Sequence, residues 1–257
     1  MTDLVLETTT GAVRCITLNR PEARNALNGA MLRASGAALM RAEQDPEVAV
    51  VVLTGTDPAF CAGLDLRELG TDAANLVGRA DDPGANPFAA LARMRTPVIG
   101  AVNGPCVTGG LEIALACDFL IASERATFAD THARVGVMPG GGMSVALPAA
   151  VGLRLAKELS LTGRFCDAAE AARAGLVNRV VPHDQLLEVA MQVATDIATN
   201  DRAAVAALKQ LYDENARGTA AEAYARERER FRAWRIDPAA VAARRQGIIE
   251  RGRRQQG

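Results

Sequence analysis

An α/β fold is what this sequence predicts, and two observations carry it. Near-continuous apolar runs at Val48 to Thr54 and Pro97 to Val102 have the length of strands covered on both faces, and segments of helical period alternate with them. The chain of 257 residues is long enough for one large domain, or for a main domain with a helical extension.

Taken in order, Leu4 to Thr8 and Val13 to Leu18 flank Thr10-Gly11 and predict a hairpin, closed by Asn19-Arg20-Pro21. Asn28 caps a helix from about Gly29 to Gln44, with Leu32, Leu39 and Met40 on its buried side, until Asp45-Pro46 stops it. After the strand at 48–54, residues 67–87 are rich in Gly, Asp, Asn and Ala with weak periodicity. They read either as a loosely helical lid or as a surface insertion without an active role. Phe88 to Met94 reads as a helix beneath the central strand. Phe119 to Ala122 is a further strand, Ala126-Thr127-Phe128 follows it, and Pro139-Gly140-Gly141-Gly142 turns into a helix ending near Val151. Short helices at Leu153 to Leu161 and Asp167 to Ala174 precede a strand at Leu176 to Val181. Helical patterns then dominate, at Gln185 to Thr199, Arg202 to Asn215 and Ala220 to Trp234. In the last, Glu222 faces Arg226 at i,i+4 and Tyr224 and Phe231 lie seven apart. Asp237-Pro238 restarts a helix with Val241, Arg245 and Ile248 on one side, and the basic end RGRRQQG reads as a solvated tail.

Composition narrows the function. A net charge of -1 argues against a general nucleic-acid binder, and 4% aromatic residues leave few stacking platforms. Neither a signal peptide nor an 18-residue apolar run is present, so the expectation is a cytoplasmic protein without a membrane partner. Cys15, Cys61, Cys106, Cys117 and Cys166 are odd in number and widely spaced, the pattern of reduced buried thiols. Two histidines, His132 and His183, argue against zinc, and the absence of G-x-G-x-x-G and P-loop patterns argues against a dinucleotide or ATP.

The chemistry concentrates in PVIGAVNGPCVTGGLEIALACDF, residues 97–119. An apolar strand meets the Asn103-Gly104-Pro105 turn, and a helix begins at the glycines, where Leu111, Ala114 and Leu115 take up helical spacing. A helix N-terminus offers unpaired N–H groups, and a glycine there lets a substrate oxygen come close. Gly109 is thus a natural anion donor, and Glu112, one turn on, places a carboxylate beside whatever Gly109 holds. A first-turn glutamate also complements the helix dipole without any chemistry.

The same stretch, with NRPEARNAL at 19–27, FCAGLDL at 60–66 and PGGG at 139–142, resembles the crotonase (enoyl-CoA hydratase/isomerase) superfamily, four motifs in the family's order over roughly residues 1–195. The resemblance implies a spiral of ββα repeats as a core domain (1–195), then a helical oligomerisation region (196–257) that builds a homotrimer or a dimer of trimers. It implies an oxyanion hole from the backbone amides of Leu64 and Gly109, and Glu112 as general acid/base. Losing one such amide typically costs about 3 kcal/mol of barrier. It also implies an acyl-CoA site along Arg24, Ala26, Ala62, Asp65 and Gly110, with coenzyme A part of the substrate and no separate cofactor. Arg24 reads either as a phosphate contact or as an exposed loop arginine without a partner.

The chain departs from the family twice. Its tail lacks the closing motif of a Gly-containing turn, an aromatic residue and a Lys-Arg pair. His132 stands where hydratases carry their second catalytic glutamate. Glu112 then works alone, or His132 holds the water or shares acid/base duty, or the reaction is one that a single acid/base serves, such as alkene isomerisation; a structural role for His132 is the plain alternative. Asp130 would point with His132 only in an extended segment. The expected function is an enoyl-CoA hydratase adding water across a 2-enoyl-CoA in acyl-CoA and fatty acid metabolism; the alternatives are an isomerase or a non-catalytic acyl-CoA-binding protein.

Overall fold

The computed structural model describes residues 3–72, 81–235, 239, 243–245, 247 and 249–250. Its larger compact unit, residues 1–207, is built on a six-stranded sheet. The strands are β1 (Val5–Thr10), β2 (Val13–Leu18), β3 (Val50–Gly55), β4 (Val98–Val102), β6 (Phe119–Ser123) and β9 (Arg179–Val181), paired in that order. β1 and β2 form the expected antiparallel hairpin; every later pair is parallel, with Val51 opposite Val98 and Gly100 opposite Leu120.

The apolar runs of β3 and β4 follow from this placement. Val51, Leu53, Val98 and Val102 face the main core, while Val50, Val52, Ile99 and Ala101 face a second core. That second core is closed by the helix Leu186–Ala198, whose Leu186, Ala190 and Ala194 recur every four residues. Covering both faces removes any reason for alternation.

A smaller sheet joins β5 (Pro105–Val107), β7 (Thr127–Ala129) and β8 (Cys166–Asp167). The sequence marks Pro105 as part of a turn, yet Pro105–Val107 is a strand: Phe60 N and Cys61 N donate to Pro105 O, and Val107 N donates to Cys61 O. The chain thus runs large sheet, small sheet, helix twice in succession: β4, β5 and Gly109–Leu115, then β6, β7 and His132–Val135. This is the ββα spiral that the resemblance implies.

The helices are α1 (Gly29–Gln44), α2 (Leu66–Leu69), α3 (Pro87–Leu91), α4 (Gly109–Leu115), α5 (His132–Val135), α6 (Met143–Val151), α7 (Leu153–Thr162), α8 (Ala168–Ala174), α9 (Leu186–Ala198), α10 (Arg202–Asn215) and α11 (Ala220–Ala233). Asn28 accepts from Met31 N at 2.8 Å, a cap worth about 1 kcal/mol. α3 is shorter than the sequence suggests and packs on α1 and α4, with Ala90 and Leu91 in the core that Val98 and Val102 face. The reason is Gly36, whose missing side chain lets α1 approach the Asn86 backbone; a Cβ there would stand 2.5 Å from Asn86 N. Of the suspected lid at 67–87, residues 73–80 lie outside the described residues.

The smaller unit, residues 208–257, holds the end of α10 and all of α11. The Glu222–Arg226 pair is not made. Glu222 instead closes a capping box with Thr219, and Arg226 donates to Glu214 O and Asn215 Oδ1. Tyr212, Tyr224 and Phe231 are all more than 60% exposed. The Asp237-Pro238 restart, Val241, Ile248 and the basic end lie outside the described residues. All five cysteines are buried thiols outside any disulfide, and burial pushes the Cys61 thiol up to about 12. No helix among the described residues is long and apolar enough to cross a membrane.

Candidate active site

The two early motifs are zipped together by backbone. Ala62 N donates to Arg24 O, Leu27 N to Gly63 O and Asp65 N to Leu27 O. Asn25, wholly buried at φ 56°, ties the first motif down: its amide donates to Thr56 O and Ala59 O and its oxygen accepts from Arg20 N. Arg24 is exposed in a left-handed conformation. The buried Ala26 carbonyl accepts from Arg20, whose guanidinium also pairs with Asp65 at 2.6 Å. That ion pair holds the Asp65 carboxyl below its usual range, and Asp65 further caps α2. Its carboxylate is occupied by protein.

Leu64 and Gly109 are brought side by side. Gly63 at φ 91° makes the turn, and a Cβ on it would stand 2.8 Å from Val107 O and 3.3 Å from Gly109 N. A Cβ on Gly109 would lie 3.5 Å from Leu64 N. Neither amide donates to a protein acceptor among the described residues. Two unused N–H donors therefore flank one small space. Gly110 lets α4 press on the Cys61 carbonyl, which a Cβ would meet at 2.2 Å. Thr108, just before the helix, has φ 52° and ψ -110°, a strained pose for a β-branched residue costing about 1–3 kcal/mol. Bonds offset it: Thr108 N donates to Ala129 O, and its hydroxyl meets the Thr131 hydroxyl at 2.5 Å.

Glu112, 4% exposed, is held by one oxygen only. Its Oε1 accepts from Gly141 N at 2.7 Å and from Met143 N at 3.3 Å, leaving Oε2 for other partners. Gly141 is pressed between Phe88 and this carboxylate, since a Cβ would stand 2.8 Å from Phe88 Cδ1 and 2.9 Å from Glu112 Oε2. The PGGG turn is more than a turn: it aims the carboxylate.

His132 Nε2 faces Glu112 Oε2 at 3.9 Å. The segment is not extended, because His132 opens α5; yet Asp130 does meet His132, through a turn in which Asp130 Oδ1 accepts from the His132 amide at 3.2 Å and lies 2.6 Å from Nδ1. Burial would raise the Asp130 carboxyl, but hydrogen bonds from the His132 ring, Ser160 and the His132 amide outweigh it and hold it below the usual range. Sequence reasoning missed Ser160 and the Gly141 and Met143 amides. Only the folded chain brings residues 112, 130, 141 and 160 to one place.

The second histidine forms a different chain. His183 Nδ1 meets Ser123 Oγ at 3.0 Å and Nε2 meets Asp57 Oδ2 at 3.0 Å. Ser123 has no exposed surface and lies within β6, so this Ser-His-Asp set presents no nucleophile to a substrate.

Paired amide donors beside an aimed carboxylate suit acyl-thioester chemistry, and comparison with known proteins points the same way. Residues 8–250 match the family model for enoyl-CoA hydratase/isomerase. A probable enoyl-CoA hydratase of Rhizobium meliloti is 43% identical over 230 residues, 89% of this chain and 88% of that protein. The crystal structure of an enoyl-CoA hydratase from Mycobacterium tuberculosis is similar at TM-score 0.73 and 50% identity, over 82% of this chain and 87% of that one. A probable enoyl-CoA hydratase/isomerase from Mycobacterium abscessus is similar at TM-score 0.85 and 34% identity, over 96% of both. With its spiral, its two free amides and its placed glutamate, this chain belongs to the enoyl-CoA hydratase/isomerase family.

Proposed function

We propose that this site adds water across the double bond of a 2-enoyl-CoA thioester, the enoyl-CoA hydratase reaction for which the relatives are named. The enzyme is a hydro-lyase of the crotonase superfamily. One observation carries the reading: two unpaired amides, of Leu64 and Gly109, lie together at the start of α4, one turn before Glu112, whose free Oε2 faces His132 Nε2.

The thioester carbonyl oxygen accepts from both amides. Water's oxygen lone pair forms the bond to C3, the π electrons move through C2 onto the carbonyl oxygen, and Glu112 Oε2 takes the proton released. The enolate is stabilised by the two donors, which act without reorganisation because the backbone already aims them. Glu112 then returns the proton to C2. His132 is the second proton-active group beside the water, in the place of the family's second carboxylate. The CoA part is assigned to the surface formed by Arg24, Ala26, Ala62 and Gly110, with Asp65 and Arg20 bracing it. The exposed Tyr212, Tyr224 and Phe231 support a helical region that joins copies into a trimer, which sedimentation would detect.

Loss of the conjugated-thioester absorbance on mixing with crotonyl-CoA, with 3-hydroxybutyryl-CoA as product, is the expected result. Relocation of an alkene without water uptake would make the enzyme an isomerase, and binding without turnover would make it an acyl-CoA-binding protein.

A further inference from the structure

The geometry points to Asp130 as a positioning residue for hydration: it holds His132 in the tautomer protonated at Nδ1, so that Nε2 faces Glu112 Oε2 as an acceptor and the two atoms together claim both hydrogens of one water. The inference rests on the hydratase reading for its catalytic consequence but not for its tautomer.

Three observations lead there. Asp130 Oδ1 lies 2.6 Å from His132 Nδ1 and is itself 2% exposed, with the His132 amide at 3.2 Å and Ser160 holding the same carboxyl. A carboxylate accepts only, so the shared proton sits on Nδ1 and the lone pair of the neutral ring is left at Nε2. Across from it, Oε2 is the carboxylate oxygen that the Gly141 and Met143 amides leave free.

The gap is too long for a direct hydrogen bond at 3.9 Å, but it suits a bridge. A water about 2.8 Å from both atoms would see them at an angle of about 90°, near the fork of its own two O–H bonds. With both hydrogens directed to acceptors, its lone pairs are free for C3. The other tautomer would send an Nε2–H toward the water and occupy the lone pair that has to attack. A histidine thereby does the water-holding work of a carboxylate, provided its far nitrogen is kept protonated.

The test uses the full-length protein labelled with nitrogen-15. With two histidines in the chain, the ring-nitrogen signals are assigned by loss of one set in H132Q. The expected His132 spectrum has a protonated Nδ1 and an unprotonated Nε2, shifting toward the other tautomer in D130N. Turnover of crotonyl-CoA in D130N is expected to fall about 10- to 100-fold in kcat with KM held within about twofold, as for other residues that orient a catalytic group. S160A, which removes one support, should give a smaller fall. In the H132Q background D130N should change kcat by less than about twofold, because Asp130 acts through the ring. An Nε2–H or doubly protonated ring in the wild type would overturn the proposal, as would an equal D130N effect with and without His132. If no variant hydrates, the hydratase reading fails while the spectra still decide the tautomer.

Discussion

The two halves of the site are built on opposite principles. The proposed oxyanion half, Gly63-Leu64 and Gly109, is a pair of backbone amides, and its side chains matter only where they must be missing: a Cβ at Gly63 would strike Val107 O at 2.8 Å. The proposed proton-transfer half, Glu112, His132 and Asp130, is a set of side chains that are each less than 10% exposed and are aimed by other groups. The difference teaches where tolerance lies. On the proposed roles, identity at Leu64 should be nearly free, whereas identity at Glu112 should not.

Changes in each half sharpen that contrast. E112Q keeps the shape and removes the proton acceptor, so kcat should fall about 10³-fold while acyl-CoA binding, read by calorimetry, stays unchanged. G63A attacks the other half by backbone alone. Forced from φ 91° and pressed on Val107 O, the turn should shift the Leu64 amide and lower kcat by about 10²–10³-fold, together with a lower Tm. G141A touches no substrate yet pushes on Glu112 from 2.9 Å, and a misplaced carboxylate should cost about 10²-fold in kcat.

Acid separates the halves thermodynamically. The Asp130 carboxyl is held below its unfolded value of about 3.9, so its contribution to stability is complete above that pH and is lost as pH falls through the lower folded value. Urea midpoints of D130N should therefore lie below wild type at pH 7 and converge with it as pH falls through the lowered Asp130 value, while the G63A difference should persist. The smallest effect is the most pointed: L64M, with its amide unchanged, should leave kcat within about twofold. A large loss there would mean that the Leu64 side chain, and not its backbone, does the work.

Much of this was legible along the chain. The strands β3 and β4, the Asn28 cap and the start of α4 at Gly109 depend on near neighbours and on burial of both sheet faces, and these leave a readable pattern. The pairing of Gly109 with Glu112 is equally local, one turn of one helix. Asp130 was named, but its contact with His132 was not legible, because it comes from a turn in a stretch whose spacing fits a strand as well. Glu222 escaped because a cap and an i,i+4 pair compete for the same carboxylate.

The sequence by itself determined the α/β class, the family and the groups from which the proposed site is drawn, since apolar period, glycine placement and residue type are properties of the chain. Only the tertiary structure decided which oxygen of Glu112 is free, that His132 faces it, that Asp130 holds His132 from behind and that Ser160 holds Asp130. Those facts depend on distances of a few ångströms between residues 112, 132, 141 and 160, and no local rule sets such distances; the packing of α4, α5, α6 and α7 in the folded chain does.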